Sequence, residues 1–242
     1  MDRALFAAAT GMTAQQRNLD LLSNNLANAD VAGFKESSET FAVLAAPGET
    51  GVGTVGIGEH VVFTQGKLAK SNGPFDVAID GPGFFVLRDG RGGRVYTRDG
   101  AFTRAADGTL RNAQGYRLDG VRIPPDALTA TTAEDGTVSI TTPRGTRAIA
   151  QLKLAEFPAP EALRAIGGTL FVATAQAGRP RLVTPGDTHG PSLRFGMLET
   201  SNVSIIESMM QMLTAQRAYE ANAKGVQAAD EMLRIANNLQ RG

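Results

Sequence analysis

Helix-breaking residues are almost confined to the middle of this chain. All 11 prolines fall between positions 47 and 191, and 24 of the 28 glycines fall between positions 48 and 196. Within a helix, glycine costs about 1 kcal/mol and proline about 3 kcal/mol relative to alanine, so a segment that avoids both can remain helical over a long distance. The distribution predicts long helices at both ends and a different kind of structure between them.

Large apolar residues in both terminal segments recur at heptad spacing or lie beside that repeat. They are Leu5, Met12, Leu19, Leu22 and Leu26 at one end, and Ile205, Met209, Met212, Tyr219, Val226 and Leu233 at the other. Such spacing places side chains along one face of a helix, as in a coiled-coil seam. We expect these residues to pack helices and subunits together. The alternative is that each stripe covers a globular core of its own chain.

The middle of the chain is typical of short strands joined by tight turns. Six Asp-Gly pairs lie between positions 80 and 136, several of them eight to 12 residues apart. Asp-Gly tolerates the positive φ angles of hairpin turns, and the segments between the pairs alternate apolar and polar residues. We therefore expect a central antiparallel β domain.

These patterns predict an α+β fold in which long N- and C-terminal helices pair in a coiled-coil-like core. The expected boundaries are an N-terminal helix at 1–32, an extended connector at 33–72, the β domain at 73–190, and a C-terminal connector and helix at 191–242. With 242 residues, the chain is long enough to bury a sizeable core without covalent staples.

Charge and cysteine content exclude several classes of function. Lys plus Arg and Asp plus Glu each number 24, so the chain lacks the basic excess that nucleic-acid binding requires, and we expect no nucleic-acid partner. The sequence contains no cysteine, which excludes disulfides, cysteine-ligated metals and thiol catalysis.

No motif for catalysis or cofactor binding is placed convincingly. Residues 51–56 match G-x-G-x-x-G, but a strand-like segment follows where a phosphate-binding loop needs a helix, so the glycines predict a flexible turn. His60 and His189 each lack a second His or a carboxylate four residues later, and we expect both at the surface. We predict no catalytic, cofactor-binding or metal-binding residues. A β-rich enzyme with unplaced catalytic residues remains the alternative to a self-assembling structural protein, which the two heptad-patterned ends favour.

The first residues are not expected to form a secretory leader. Asp2 cancels the charge of Arg3, and the apolar run that follows is broken at Thr10-Gly11. No apolar run approaches the roughly 20 residues that span a bilayer. If the protein leaves the cytoplasm, we expect it to do so without a cleaved signal peptide.

Several blocks resemble bacterial flagellar rod and hook proteins. The N-terminal block contains Asn24, Asn25 and Asn28, followed by Gly33-Phe34-Lys35. Thr64 to Leu68, Asp76 to Phe85 and Tyr96 to Phe102 are similar to successive blocks of the family. The C-terminal blocks contain Ser201 and Asn202, and then Gln216, Arg217 and Glu220. The sequence of the C-terminal blocks is most similar to that of distal rod members. The opening is similar to a proximal rod member, and a hook-type subunit is the other alternative.

This resemblance implies a structural protein without a cofactor. It implies that the terminal helices form the inner core of a homo-oligomeric helical tube, with the β domain facing outward. Such a rod transmits torque through the periplasm from motor to hook. The implied partners are other rod proteins, the hook protein, the ring proteins that act as bushings, and the flagellar export apparatus. The chain departs from the family in having Asp30-Val31-Ala32-Gly33 where a Thr-Gly pair before Phe34 is usual, and in a short connector at 42–60.

Overall fold

The chain forms two compact units. The computed structural model describes residues 2–44, 53–187 and 190–239, without the side chains of residues 2–4, 233, 236, 237 and 239. Unit 1 comprises Met1–Ala27, Ser37–His60 and Ser204–Gly242, and unit 2 comprises Asn28–Glu36 and Val61–Val203. Three features named above therefore lie outside the described part: Gly51, His189 and the side chain of Leu233.

Unit 1 contains the two long helices. They are α1 (Asp2–Ala27) and α2 (Ile205–Leu239), and they accompany a two-stranded sheet of β1 (Ser37–Leu44) and β2 (Gly53–Val61). Helix α2 begins after Ser204, whose hydroxyl accepts a hydrogen bond from the Glu207 amide at 3.4 Å, in the position of an N-cap. Helix α1 contacts both α2 and β1. The prediction of an α+β chain with a helix at each end and a β-rich middle is confirmed.

Unit 2 is built from short strands. They are β3 (Leu68–Lys70), β4 (Val77–Asp80), β5 (Phe84–Arg88), β6 (Arg94–Thr97), β7 (Thr103–Arg104), β8 (Thr109–Arg111), β9 (Arg117–Arg122), β10 (Thr129–Thr132), β11 (Thr137–Thr142), β12 (Gly145–Gln151), β13 (Leu154–Glu156), β14 (Arg164–Gly167), β15 (Leu170–Val172), β16 (Arg181–Val183), β17 (Ser192–Phe195) and β18 (Met197–Glu199). A 3-10 turn at Pro160–Ala162 joins β13 to β14.

Antiparallel pairing organises these strands. The largest sheet runs β14-β15-β6-β5-β9-β8-β7, with β13 pairing both β5 and β16. A second sheet has the order β10-β11-β12. Strands late in the chain close the unit, because β17 pairs with β4 and β18 pairs with β3.

Apolar side chains from these sheets fill two clusters. The larger contains fully buried residues such as Ile79, Phe85, Leu154 and Leu193. The smaller is aromatic, and its rings meet edge to face, as in the Tyr96–Phe157 pair with centroids 4.8 Å apart. Edge-to-face contacts add about 0.5–1.5 kcal/mol beyond area burial. Alternating strands therefore bury enough surface to hold unit 2 together.

The Asp-Gly pairs mark turns at some positions and not at others. Gly108 joins β7 to β8 with φ of 79°, and Gly136 joins β10 to β11 with φ of 83°. Gly120 also has a positive φ but lies inside β9, so that pair does not end a strand. Local dipeptide chemistry predicts the backbone conformation there but not its place in the sheet.

Candidate functional site

The residues predicted to pack subunits differ widely in burial. On α1, Leu22 is buried, and Leu5, Met12, Leu19 and Leu26 are half-buried. On α2, Met212 and Val226 are half-buried. Ile205, Met209 and Tyr219 are exposed. The predicted seam of α2 is therefore not its most buried face within this chain.

The buried face of α2 carries small side chains. Ser208, Ala215 and Ala229 are buried, and Asn222, which continues the same seven-residue spacing, is half-buried. Asn222 faces Gly11 of α1, where an added Cβ would lie 2.9 Å from the amide nitrogen. Small residues let two helices approach closely but contribute little apolar area. A heptad pattern of large apolar residues does not indicate this face, because its residues are small or polar.

A side-chain amide joins the last turn of α1 to the start of β1. Asn25 is fully buried; its Nδ2 donates to the Ser37 carbonyl at 2.8 Å, and its Oδ1 accepts from the Ser37 amide at 3.0 Å. The side chain thereby pairs with the backbone of β1 as a neighbouring strand would. Asn25 belongs to the N-terminal sequence block described above, and the sequence alone assigned no role to this residue.

Three charged side chains form a buried ionic junction in unit 2. The junction consists of Lys35, Arg98 and Glu199, with side chains 0%, 5% and 0% exposed. Lys35 Nζ donates to Glu199 Oε1 at 2.5 Å, and Arg98 Nε donates to Oε2 at 2.8 Å. Glu199 also accepts a hydrogen bond from the Gly66 amide at 2.9 Å. One carboxylate thus faces two cations.

The remaining donors of the junction bind backbone carbonyls. Lys35 Nζ donates to the Thr64 carbonyl at 2.7 Å, and Arg98 Nη1 donates to the carbonyls of Gly81 and Gly83 at 2.9 and 2.6 Å. Burial lowers the pKa of Lys35 below its ordinary 10.5, and the attraction of Glu199 opposes this effect. The junction has the hydrogen bonding that buried ions need, and it fixes segments far apart in sequence.

Asn202 connects the same segments from the other side. Its Oδ1 accepts from the Glu36 amide at 2.8 Å. Its Nδ2 donates to the Val62 carbonyl at 2.8 Å and to the Thr64 hydroxyl at 2.9 Å. The amide of Gly33 donates to the Glu199 carbonyl at 2.8 Å. The ends of unit 2 are therefore tied to one another by side chains and by backbone.

Three family models match the chain, one in each part. A model described as "Flagella basal body rod protein" matches residues 5–35, and one described as "Flagellar hook protein FlgE/F/G D1 domain" matches residues 78–140. A third, "Flagellar basal body rod FlgEFG protein C-terminal", matches residues 195–239. The chain is also 39% identical to a protein of Borreliella burgdorferi named "Flagellar basal-body rod protein FlgG", over 100% of both sequences.

The chain belongs to the flagellar basal-body rod protein family. A Bacillus subtilis protein with the same FlgG name is 32% identical over 100% of both chains. A Caulobacter vibrioides protein named "Flagellar basal-body rod protein FlgF" is 32% identical over 98% of this chain and 97% of its own. The resemblance inferred from the sequence blocks is confirmed.

The rod-family motif residues divide into buried and exposed groups. Gly33, Phe34 and Ser201 are buried, and each lies within two residues of Lys35 or Glu199 in the sequence. The backbone carbonyl of Asn28 accepts a hydrogen bond from the Val31 amide. Asn24 is exposed on α1. Gln216, Arg217 and Glu220 are exposed on α2. Side-chain contacts within the described chain thus account for Asn25 and Asn202 but not for the exposed α2 group.

Helix α1 ends earlier than the predicted boundary at residue 32, which directly precedes Gly33. The helix stops at Ala27, and Gly33 lies six residues later with φ of 69°. A Cβ there would overlap the backbone of Asp99. Gly33 is needed for close packing inside unit 2 rather than for ending the helix.

The described residues offer little that would hold a ligand. They contain no group of three or more His, Cys, Asp or Glu side chains able to bind a metal ion. A cleft of about 650 Å³ between Phe84, Phe157 and Arg181 is open to solvent, and Arg181 is already paired with Glu156 at 3.3 Å. Among the described helices, none is long and apolar enough to span a membrane.

Proposed function

We propose that this chain is a structural subunit of the bacterial flagellar basal-body rod. The observation that carries the proposal is similarity over the whole length of proteins named as flagellar rod proteins, at 39% identity in one case. The similarity includes both terminal helices and the β-rich middle, which three family models match in the family's order. The protein acts by assembling with other subunits and not as an enzyme.

The terminal helices provide the assembly surface. We infer that α1 and α2 pair in a coiled-coil-like manner and associate with further copies into a helical tube, which transmits torque from motor to hook. The apolar side chains that α2 leaves exposed support this inference, since several lie together near its start. Exposed apolar patches larger than a few hundred Å² are typical of interaction surfaces.

The proposed partners follow from the same role. They are other copies of this chain, other rod proteins, the hook protein, ring proteins and the export apparatus. The proposed location is the periplasmic part of the basal body. Similarity to proteins named FlgG favours the distal rod, and the similarity to a protein named FlgF keeps the proximal rod as the alternative.

Cryo-electron microscopy of purified basal bodies tests the proposal. A strain lacking the chain should form no complete rod and should not swim, and the chain expressed in trans should restore both. Density for this chain in the rod would establish its role, and its axial position would separate distal from proximal. Normal rods and motility in the deletion strain would contradict the proposal.

A further inference from the structure

Unit 1 contains a groove whose described lining residues include none from α2. The groove runs along α1 past Phe6, Thr10, Thr13 and Arg17, and its other wall includes Leu44 and Val55. Its volume is about 270 Å³, and its lining is mainly apolar. Phe6 at one end is 51% exposed. From Phe6 to Arg17 the groove spans 12 residues of helix, or about 16 Å for the 11 steps between them at 1.5 Å each.

The Arg17 end of the groove has a carboxylate that lacks a full set of partners. The Glu39 side chain is 9% exposed and lies against the backbone of Gly56, which lines the groove. Its Oε2 is buried and accepts no hydrogen bond from any described residue. Arg17 lies 3.8 Å from Oε1, too far for a hydrogen bond. An unpaired carboxylate oxygen in such a place favours a cationic partner.

Arg17 does not block access to Glu39 at that end of the groove. Its side chain is 58% exposed, so it can move aside without losing buried contacts. An incoming guanidinium could then bind Glu39 while Arg17 remains in solvent.

Helix α2 presents a matching surface, which we call the outer stripe. It consists of Ile206, Met210, Leu213 and Arg217. The first three are 75%, 60% and 54% exposed. Arg217 is exposed and forms no ion pair with any residue that the structure describes. At 100° per residue, the outer stripe lies roughly 180° around the axis from the buried Ser208 and Ala215, so it points away from α1 of its own chain.

We propose that the outer stripe of one copy docks in the α1 groove of a second copy. Both surfaces span 12 residues, from Phe6 to Arg17 and from Ile206 to Arg217. Parallel alignment places the apolar residues of the stripe against the apolar lining and Arg217 of one copy beside Glu39 of the other. Antiparallel alignment would leave Arg217 beside Phe6. The charge pair therefore selects the parallel orientation.

This inference rests on the proposed self-assembly and deepens it by naming a surface, a partner and a register. It also gives a role to Arg217, which the sequence comparison singled out and which has no role in the structure of the single chain. Complementary charges at an interface chiefly determine register and partner choice, while apolar contacts supply most of the stabilisation.

Charge reversal of the full chain tests the pairing. Arg217→Glu should weaken self-association, measured by sedimentation velocity, about tenfold or more, since one buried charge pair commonly exceeds the 1.4 kcal/mol that a tenfold change represents. Combining Arg217→Glu with Glu39→Arg should restore association to within about threefold of the unmodified chain. Glu39→Gln keeps the side-chain shape and should also weaken association, which controls for misfolding of the reversed residue.

Cysteine cross-linking tests the register, because the chain contains no cysteine of its own. A Thr13→Cys chain mixed with a Leu213→Cys chain should form a disulfide-linked dimer. Replacing the second chain by Gln211→Cys, which is exposed about 160° around the helix axis from Leu213, should abolish the cross-link. Cross-linking to Gln211→Cys instead, or association that Arg217→Glu leaves unchanged, would overturn the docking and leave self-assembly standing. Absence of any self-association by the unmodified chain would count against both.

Discussion

The Asn25 carboxamide binds both backbone groups of Ser37, donating to the carbonyl at 2.8 Å and accepting from the amide at 3.0 Å. A side chain of α1 thus takes the place of a strand at the beginning of β1. Two polar backbone groups receive their partners from one residue that is itself fully buried. The length of the turn after α1 is fixed by this pair.

We expect Asn25→Asp to destabilise unit 1 by about 2–3 kcal/mol. The aspartate can still accept from the Ser37 amide, but it leaves the Ser37 carbonyl without a donor and introduces a buried charge. Urea unfolding followed by the helical circular dichroism signal measures the change. Ser23→Ala, exposed two residues earlier on the same helix, is the control and should have little effect. Equal effects of the two substitutions would refute the role assigned to Asn25.

The ionic junction should respond unequally to loss of its anion and of one cation. Glu199→Gln leaves two buried cations facing each other and should cost about 3–5 kcal/mol of unfolding free energy. Lys35→Met leaves a balanced Arg98–Glu199 pair and should cost less than half as much. Urea unfolding of unit 2, followed by near-ultraviolet dichroism of its aromatic cluster, compares the two. A larger loss in Lys35→Met than in Glu199→Gln would show that the charge balance has been misassigned.

The lowered pKa of Lys35 predicts a rise of stability at alkaline pH. Between the lowered folded-state pKa and the ordinary value of 10.5, the unfolded chain holds a proton that the folded chain has released. Because the unfolded state binds more protons in that window, the contribution of Lys35 to the unfolding free energy increases with pH. The difference in unfolding free energy between the unmodified chain and Lys35→Met should therefore grow as pH rises toward 10.5. A constant or shrinking difference would contradict the shift.

Two glycines near each other in the sequence should tolerate alanine very differently. Gly33→Ala would place a Cβ on the backbone of Asp99 at a left-handed φ of 69°, and should cost at least about 2 kcal/mol. Gly11→Ala would place its Cβ 2.9 Å from the side-chain amide of Asn222, which can rotate, and it gains about 1 kcal/mol of helix propensity. We expect Gly11→Ala to leave the unfolding free energy almost unchanged and to impair assembly. Thermal unfolding and rod length in cells provide the two measurements.

Unit 2 should fold without the terminal helices, provided that its last strands are kept. A fragment of residues 61–203 lacks only Asn28–Glu36 of unit 2 and retains β17 and β18, whereas residues 73–190 lack both of these strands and the buried Leu193. We expect both fragments to give β-type circular dichroism. The longer fragment should melt cooperatively about 5 °C or more above the shorter one. Identical melting temperatures would mean that the pairing of β17 with β4 and of β18 with β3 contributes nothing to the stability of unit 2.

Sequence patterns predicted the elements of this chain better than their contacts. The lack of helix breakers located both helices because propensity acts locally. The buried face of α2 was missed because Ser208 and Ala215 carry little apolar weight beside Met209 and Leu213. The ionic junction was missed for a different reason: a charged residue has the same one-letter code whether it is buried or exposed. Lys35 and Glu199 both lie in blocks that resemble the family, and that was the available signal.

The junction also bears on the order in which the chain can fold. Lys35 and Glu199 are 164 positions apart. Strand β4 pairs with β17, which begins at Ser192, and β3 pairs with β18, which begins at Met197. Because synthesis begins at the N-terminus, Lys35 has no counter-ion and β4 has no partner strand until more than three quarters of the chain has been made. Contacts between such distant residues close slowly, because a long loop must be ordered before they are gained. Unit 2 therefore completes its fold late, which leaves an interval in which two strands of the nascent polypeptide, β3 and β4, lack their partners and are open to binding by other factors.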